Sequence, residues 1–320
     1  MSNVEQLNPA QRRVLGELRG EGEERPSFDP GLGGHLRQRL DNEISKMAAG
    51  LDKPLWASKA ALSRVLSCES YHIGEEQAGF SWSTSTARGS VIHKAVQLSV
   101  GWKGPRNALE LIDASIESLT RDNNSDLSCF LSECSAGELA ELRAEASELV
   151  CKFLEQWPPL VPAWKPRSES RLRVELCDSK VILSGKTDLT LGTAKENTAG
   201  RLIVDFKTGR QGPHHIDDLR FYALLDTLII GIPPFRLASY YLDEAKFHPE
   251  NVTEEVLEAA LRRTVAGLTR LLELTLGLRS PQVTPNPTCG WCSLRNECSG
   301  AKEWADTRRE SDDMSDVWED

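Results

Sequence analysis

The stretch Leu202-Ile203-Val204-Asp205-Phe206-Lys207-Thr208-Gly209 restricts the fold of this chain more than any other. An unbroken apolar run of this kind belongs to a strand covered on both faces, and so to a sheet with helices layered against it. The segments before it, SRLRVEL and VILSGKTDLTL, alternate or run apolar and read as strands, with CDSK and GTAKENTAG as the turns between them. After it the pattern predicts a helix from about Ile216 to Ile230, a strand in FRLASYYL and a long helix from about Thr253 to Gly277. Upstream, Ser58 is placed to cap a helix running to about Cys68, and a second helix from Thr84 to about Trp102 carries His93. The order helix, three strands, helix, strand, helix predicts an α/β fold with a mixed central sheet flanked by helices.

At 320 residues the chain is near the upper size of one domain with insertions. Residues 1–55 read as an N-terminal helical extension: Asn8-Pro9 is a good helix start, and GEGEERPSFDPGLGG is linker-like. Residues 56–302 form the expected core. Within it, residues 105–156 are an acidic amphipathic stretch, read as a solvated helical insertion with Leu139, Leu142, Ala146, Leu149 and Phe153 at helical spacing. Residues 303–320 are expected to be a disordered acidic tail. The net charge of −10 is concentrated in two of these appendages, −6 in residues 303–320 and −7 in residues 105–156, which leaves +3 for the remainder. A mildly basic core is compatible with a polyanionic ligand. The opening MSNVEQLNPAQRR has no basic patch followed by an apolar core. The most apolar run, around Leu224 to Ile232, is broken by Asp226 and stopped by Pro233. A cytoplasmic protein without a membrane partner is therefore expected. No Walker A pattern is present, so any ATP-driven unwinding would have to come from a partner such as a helicase.

Three groups of residues carry chemistry. Asp205 and Lys207, two apart on a strand, project together, and a hairpin from the preceding strand brings Asp188 beside them. Two carboxylates with an adjacent ammonium suit a hard divalent cation such as Mg²⁺, which retains several waters. Such an ion polarises a phosphodiester oxygen and lowers the pKa of a bound water. An Asp-x-Lys pair is also common as a surface ion pair, and a lone histidine such as His93 is often a packed residue. Gly89, one turn before His93, allows close approach of backbone or phosphate. The last group is Cys68 with Cys289-Gly290-Trp291-Cys292 and Cys298, four thiolates able to hold zinc or an iron–sulfur cluster. Cys129, Cys134, Cys151 and Cys177 stand isolated, and disulfides are not expected in a cytosolic chain.

Taken together these motifs resemble the PD-(D/E)XK nuclease superfamily, in the RecB-like branch with an iron–sulfur cluster that includes AddB and CRISPR-associated iron–sulfur exonucleases. Gly89-x-x-x-His93 is similar to the helix that supplies a metal-binding histidine. Gly185-Lys186-Thr187-Asp188 is similar to the strand with the first carboxylate, and Ile203 to Gly209 to the strand with the second carboxylate and the lysine. Asp218 to Ala223 is similar to the helix usually written Gln-x-x-x-Tyr, with Tyr222 retained, and the cysteines match the 1 + 3 clip. The resemblance implies a restriction-endonuclease-like core, Asp188, Asp205, Lys207 and Tyr222 as catalytic residues, and His93, Asp188 and Asp205 as ligands of Mg²⁺ or Mn²⁺. It also implies a structural [4Fe–4S] cluster on Cys68, Cys289, Cys292 and Cys298, with zinc as the alternative. The chain departs from the pattern at Gln97, where a glutamate is frequent, and at Asp218, where a glutamine is.

The expected activity is metal-dependent hydrolysis of DNA, as an exonuclease on single strands or ends, in repair, recombination or defence. The alternatives are a catalytically weak nucleic-acid-binding subunit serving a helicase, which Gln97, Asp218 and the acidic appendages favour, and a zinc-stapled nucleic-acid-binding module.

Overall fold

The computed structural model describes residues 7–20, 22–121, 125–209, 211–212 and 215–316. Among the described residues there are six strands: β1 (Leu55–Ser58), β2 (Arg167–Leu176), β3 (Val181–Gly192), β4 (Arg201–Lys207), β5 (Arg236–Tyr241) and β6 (Lys246–Asn251). They pair in the order β1-β3-β4-β5-β6, with β2 against β3. Pairs β1–β3 and β4–β5 are parallel, while β3–β4 and β5–β6 are antiparallel. With the helices around it, this mixed sheet gives the α/β class that the order of elements predicts. By internal packing the chain divides into two units. One comprises residues 1–35, 82–172 and 185–258, and the other residues 36–81, 173–184 and 259–320.

In the first unit β4 and β5 are the central strands. All six residues of β5, and every residue of β4 up to Phe206, are buried. The buried Arg201 at the start of β4 is matched by Asp226, a residue of helix α9 (His215–Ile230), which accepts from its Nε at 2.8 Å. The opening of β4 therefore leaves no uncompensated charge in the core. Helices α5 (Thr84–Gly101), α6 (Ala108–Thr120), α7 (Asp126–Glu133) and α8 (Ala136–Gln156) share one core with the sheet. Here the structure corrects the solvated insertion expected at residues 105–156. Leu111, Ile112, Leu142, Ala146 and Val150 are completely buried, and the acids occupy the outward positions of the same helices. Phe153 and Trp157 join Phe206 and Tyr240 in an aromatic cluster, with Trp157 edge-on to Phe206 at 5.1 Å between ring centres. The apolar stripe legible at helical spacing packs into this core, where the acidity of the stretch had suggested solvent.

Helix α1 (Pro9–Arg19) begins in a capping box at Asn8. Asn8 Nδ2 and Gln11 Nε2 donate to the carbonyls of Glu155 and Leu154 at the end of α8. The described residues up to 35 therefore belong to the first unit, while the sequence suggests a 1–55 extension. Strand β6 has no apolar signature, carries Pro249 and alternates with exposed residues, as an edge strand does; it was not legible in the sequence.

In the second unit β1 pairs in register with Val181–Ser184, and Ser58 caps α3 (Lys59–Ser67) by accepting from the Ala61 N–H. Cys68 ends α3 in an extended conformation and starts α4 (Glu69–Ala78). Helix α2 (Leu32–Ala48) and helix α10 (Glu254–Thr275) each cross a unit boundary. Gly267 of α10 lets the Leu62 side chain of α3 come within 2.7 Å of where a Cβ would stand. The acidic end differs from the disordered tail expected over 303–320: Ser299–Asp316 is a helix, α11. Ala301 on it is buried, and the Trp304 ring lies 3.5 Å from where a Cβ on Gly290 would be. These apolar anchors give the helix a packing partner that its charge count does not reveal. Residues 317–320 lie outside the described residues. No helix among the described residues is long and apolar enough to cross a membrane.

Candidate active site and cysteine cluster

The antiparallel ladder between β3 and β4 runs from Gly192 opposite Arg201 to Leu189 opposite Val204. Just past it the Phe206 N–H donates to Asp188 Oδ2 at 2.7 Å, so the first carboxylate is held by the backbone of the strand that carries the second. Helix α5 brings His93 Nδ1 to 3.3 Å from Asp188 Oδ1. Gly89, one turn earlier, faces Thr208 at the exit of β4, whose Oγ1 would be 3.4 Å from an added Cβ. Lys207 Nζ pairs with Asp205 Oδ2 at 2.6 Å and lies 3.9 Å from Asp218 Oδ2 of α9. Of these five side chains, Asp205 and Asp218 are the most enclosed and His93 the least.

Burial by itself would lower the pKa of His93. The charge of Asp188, their hydrogen bond and the nearby Asp205 and Glu169 outweigh it, and the imidazole is held above its ordinary value. Burial would likewise raise Asp188, but the His93 charge and hydrogen bond, the Phe206 N–H and Lys207 keep its carboxyl below the usual range. Asp188 is thus ionised at neutral pH. It is available to a cation once His93 has given up its proton.

Of the expected residues, His93 and Asp188 converge, and Glu169 joins them. The ligand atoms of these three lie within 4.8 Å of one another, the one such group of three or more among the described residues. Asp205 is beside this triad, but its carboxylate engages Lys207. Glu169 was missed by the sequence reading. It sits near the start of β2 with φ 53°, a left-handed conformation rare for its residue type, and it also pairs with Lys186. Its only sign in the sequence is an acid in a segment dominated by Arg167, Arg171 and Arg173. Tyr222 is buried in α9 with its ring against Gly185, three residues before Asp188; a Cβ there would be 2.8 Å from Tyr222 Cε1. Gln97, at the departure from the family pattern, accepts from Lys94 Nζ at 2.9 Å.

In the second unit Cys68, Cys289, Cys292 and Cys298 line one small cavity, although 220 residues separate the first from the next. Backbone N–H groups of Thr284 and Asn286 point at the sulfurs of Cys68 and Cys289, at 3.4 and 3.5 Å. Burial, with the neighbouring charges of Glu75, Cys289 and Cys68, pushes the Cys292 thiol up, although a backbone N–H at Leu294 works against this. The other four cysteines lie apart from this cavity. Cys129 and Cys151 are exposed, and the Cys177 N–H donates to Asp41 Oδ1 in a turn.

Comparison with known proteins agrees with this arrangement. Residues 57–299 match the family model of the PD-(D/E)XK nuclease superfamily. Among solved structures, the chain is similar to a protein from Eubacterium rectale provisionally named an exonuclease. That match has 14% identity, a TM-score of 0.48 and coverage of 75% of this chain and 87% of that one. The chain is also similar to the protein SSO0001, at 11% identity and a TM-score of 0.34, with 84% of this chain and 96% of that one covered. No protein with a curated description matches. The family model spans most of the chain and takes in the strands and helix that carry Asp188, Asp205, Lys207 and His93, and the chain belongs to the PD-(D/E)XK nuclease superfamily.

Proposed function

We propose that this chain is a divalent-metal-dependent deoxyribonuclease, acting as an exonuclease on single strands or ends in repair, recombination or defence. The observation that carries the reading is the convergence of His93, Glu169 and Asp188 next to the Asp205–Lys207 pair. One imidazole nitrogen and two carboxylates are a donor set suited to Mg²⁺ or Mn²⁺. His93, Glu169 and Asp188 would hold the ion, with Asp205 close by. Bound there, it would supply charge to a phosphate oxygen and a water of lowered pKa. The Phe206 N–H fixes Asp188, and the carboxylates of Asp205 and Asp218 position the Lys207 Nζ. Lys207 meets the negative charge that grows on the phosphate oxygens as the bond breaks. Tyr222, braced on Gly185, fixes the position of α9 and hence of Asp218.

The test is cleavage of end-labelled single- and double-stranded DNA with Mg²⁺ or Mn²⁺. Asp188→Ala and Asp205→Ala are expected to lower the rate by orders of magnitude while DNA binding survives. Lys207→Ala should slow cleavage with metal affinity retained, and Lys207→Arg should not restore it, because a planar guanidinium does not replace a compact ammonium. Wild type that binds DNA but cleaves neither DNA nor RNA would instead favour a binding subunit serving a helicase, a reading that Gln97 and Asp218 support.

For the cysteine cavity we propose a structural [4Fe–4S] cluster. Two backbone N–H groups directed at sulfur suit bridged thiolates. Mononuclear zinc on the same four thiolates is the alternative. Protein prepared without oxygen should be yellow-brown and contain iron and acid-labile sulfide; stoichiometric zinc in colourless folded protein would overturn the assignment.

A further inference from the structure

A cavity of about 360 Å³ opens over β5 and β6 in the first unit, on a buried floor of Leu219, Leu237, Ser239 and Tyr241. Strand pairing ties it to the candidate catalytic residues. Asp205 stands opposite Ser239 and Ser239 opposite His248, while Lys207 stands opposite Tyr241. Residues directly opposite each other across a sheet share a face. The cavity floor therefore continues the face that carries Asp205 and Lys207. It begins one strand away, about 5 Å, and its His248 rim is two strands away, about 10 Å.

The rim is braced from below. The Gly212 N–H donates to His215 Nδ1 at 3.2 Å, so that nitrogen is an acceptor and the Tyr241 hydroxyl, 2.7 Å away, donates to it as well. The phenol ring fixed in this way meets the His248 ring edge-on, with 5.4 Å between centres. His248 is exposed, and its nitrogens make no hydrogen bond to another described residue. Gln211, also exposed, adds an amide, and Ile216 and Pro249 give the rim an apolar side. Glu250 is the one carboxylate of the lining, and Arg220 holds it with two N–H groups, so its charge is matched. No ammonium or guanidinium lines the cavity among the described residues. Neutral donors beside an apolar edge suit a singly charged phosphodiester and its sugar. A terminal phosphomonoester, with a charge near −2, would find no cation there. We propose that this cavity is a substrate subsite, which receives the sugar–phosphate of the nucleotide adjoining the scissile phosphate, with His248 and Gln211 donating to the diester oxygens. The identity of the ligand rests on the nuclease reading.

The test separates the two. Single-stranded oligonucleotides of one sequence, each with one uncharged methylphosphonate at a successive linkage, are titrated with the full chain in metal-free buffer and followed by fluorescence anisotropy. At one linkage, next to the bond that wild type cuts in Mn²⁺, the replacement is expected to weaken binding about tenfold, the scale of one hydrogen bond to a charged group. His248→Ala should weaken binding of the unmodified strand by about the same factor. It should also make that one replacement nearly silent while the penalties at other linkages persist. Gln211→Ala should act in the same way to a smaller extent. Both side chains are exposed, so neither change threatens the fold. Additivity of His248→Ala with every methylphosphonate would overturn the proposal, whether or not wild type cleaves DNA. Coupling of His248 to a terminal phosphate instead of an internal linkage would also overturn it, and would assign the cavity to strand ends. Coupling to one internal linkage in a wild type that cleaves nothing would remove the nuclease reading and leave the phosphodiester site standing.

Discussion

At the residue scale, Glu169 combines an unfavourable backbone angle with a position among His93 and Asp188. A left-handed conformation at a residue of this type costs on the order of 1–3 kcal/mol, and such outliers persist where the surroundings demand them. Asparagine tolerates the same angle. Glu169→Asn is therefore expected to leave the metal-free fold within about 1 kcal/mol of the wild type, or above it, while weakening Mn²⁺ binding in calorimetric titration. Equal loss of both would show that the side chain acts through packing alone. Gly185 is constrained in the opposite sense. The Cβ of Gly185→Ala would meet the Tyr222 ring at 2.8 Å and Leu225 at 3.3 Å, and denaturant unfolding should report a loss of about 1–3 kcal/mol, the range of overpacking. Adding Tyr222→Leu should recover part of it. Asp188, Asp205 and Lys207 were legible in the sequence because strand spacing and a hairpin suffice to bring them together. Glu169 was not, because its contribution depends on one φ value in a strand that has no motif.

At the scale of elements, the start of α4 depends on one buried carboxylate. Glu69 accepts from Arg279 at 2.5 and 2.7 Å and from the Gln282 N–H at 2.9 Å, fixing the segment that leads into the cysteine loop. The hydrogen bonds from Arg279 hold the Glu69 carboxyl below its ordinary value of 4.5, against the effect of burial. Its contribution is thus fully present above about pH 4.5 and is lost as the pH falls through the lower folded value. Glu69→Gln should remove on the order of 2 kcal/mol at neutral pH and flatten the acid side of the stability curve. An unchanged acid limb would show that other carboxylates govern it. Helix α11 offers a second check. Truncation after residue 302 removes Trp304 from beside Gly290 and should loosen the cysteine loop, raising amide exchange at 287–292, whereas truncation after residue 308 should not. Helices α5, α9 and α10 were readable from the sequence, α10 with an amphipathic pattern and α9 as an apolar helix buried on most sides. Strands β1 and β6 were not, since one has four residues and the other lies at an edge with polar side chains outward. Helices α6 to α8 were found, but their acidity suggested solvent where the structure has core.

At the scale of the molecule, each unit draws on three separate stretches of chain, so local stability and sequence proximity are decoupled. Loss of the proposed cluster should raise hydrogen exchange in 36–81, 173–184 and 259–316 together, because they form one cooperative body, while 84–120 and 201–207 remain protected. Exchange confined to 287–298 would mean that the cysteines serve only their own loop. The division was invisible in the sequence, where linkers suggested boundaries near residues 55 and 302. Composition marks where a chain is polar, and says nothing about which distant segments share a core. Interleaving of this kind has an evolutionary consequence. Neither unit occupies a continuous stretch of coding sequence, so no single duplication, deletion or recombination event can transfer one without fragments of the other. The carboxylates of one unit and the cysteines of the other are therefore carried by interleaved stretches of one coding sequence.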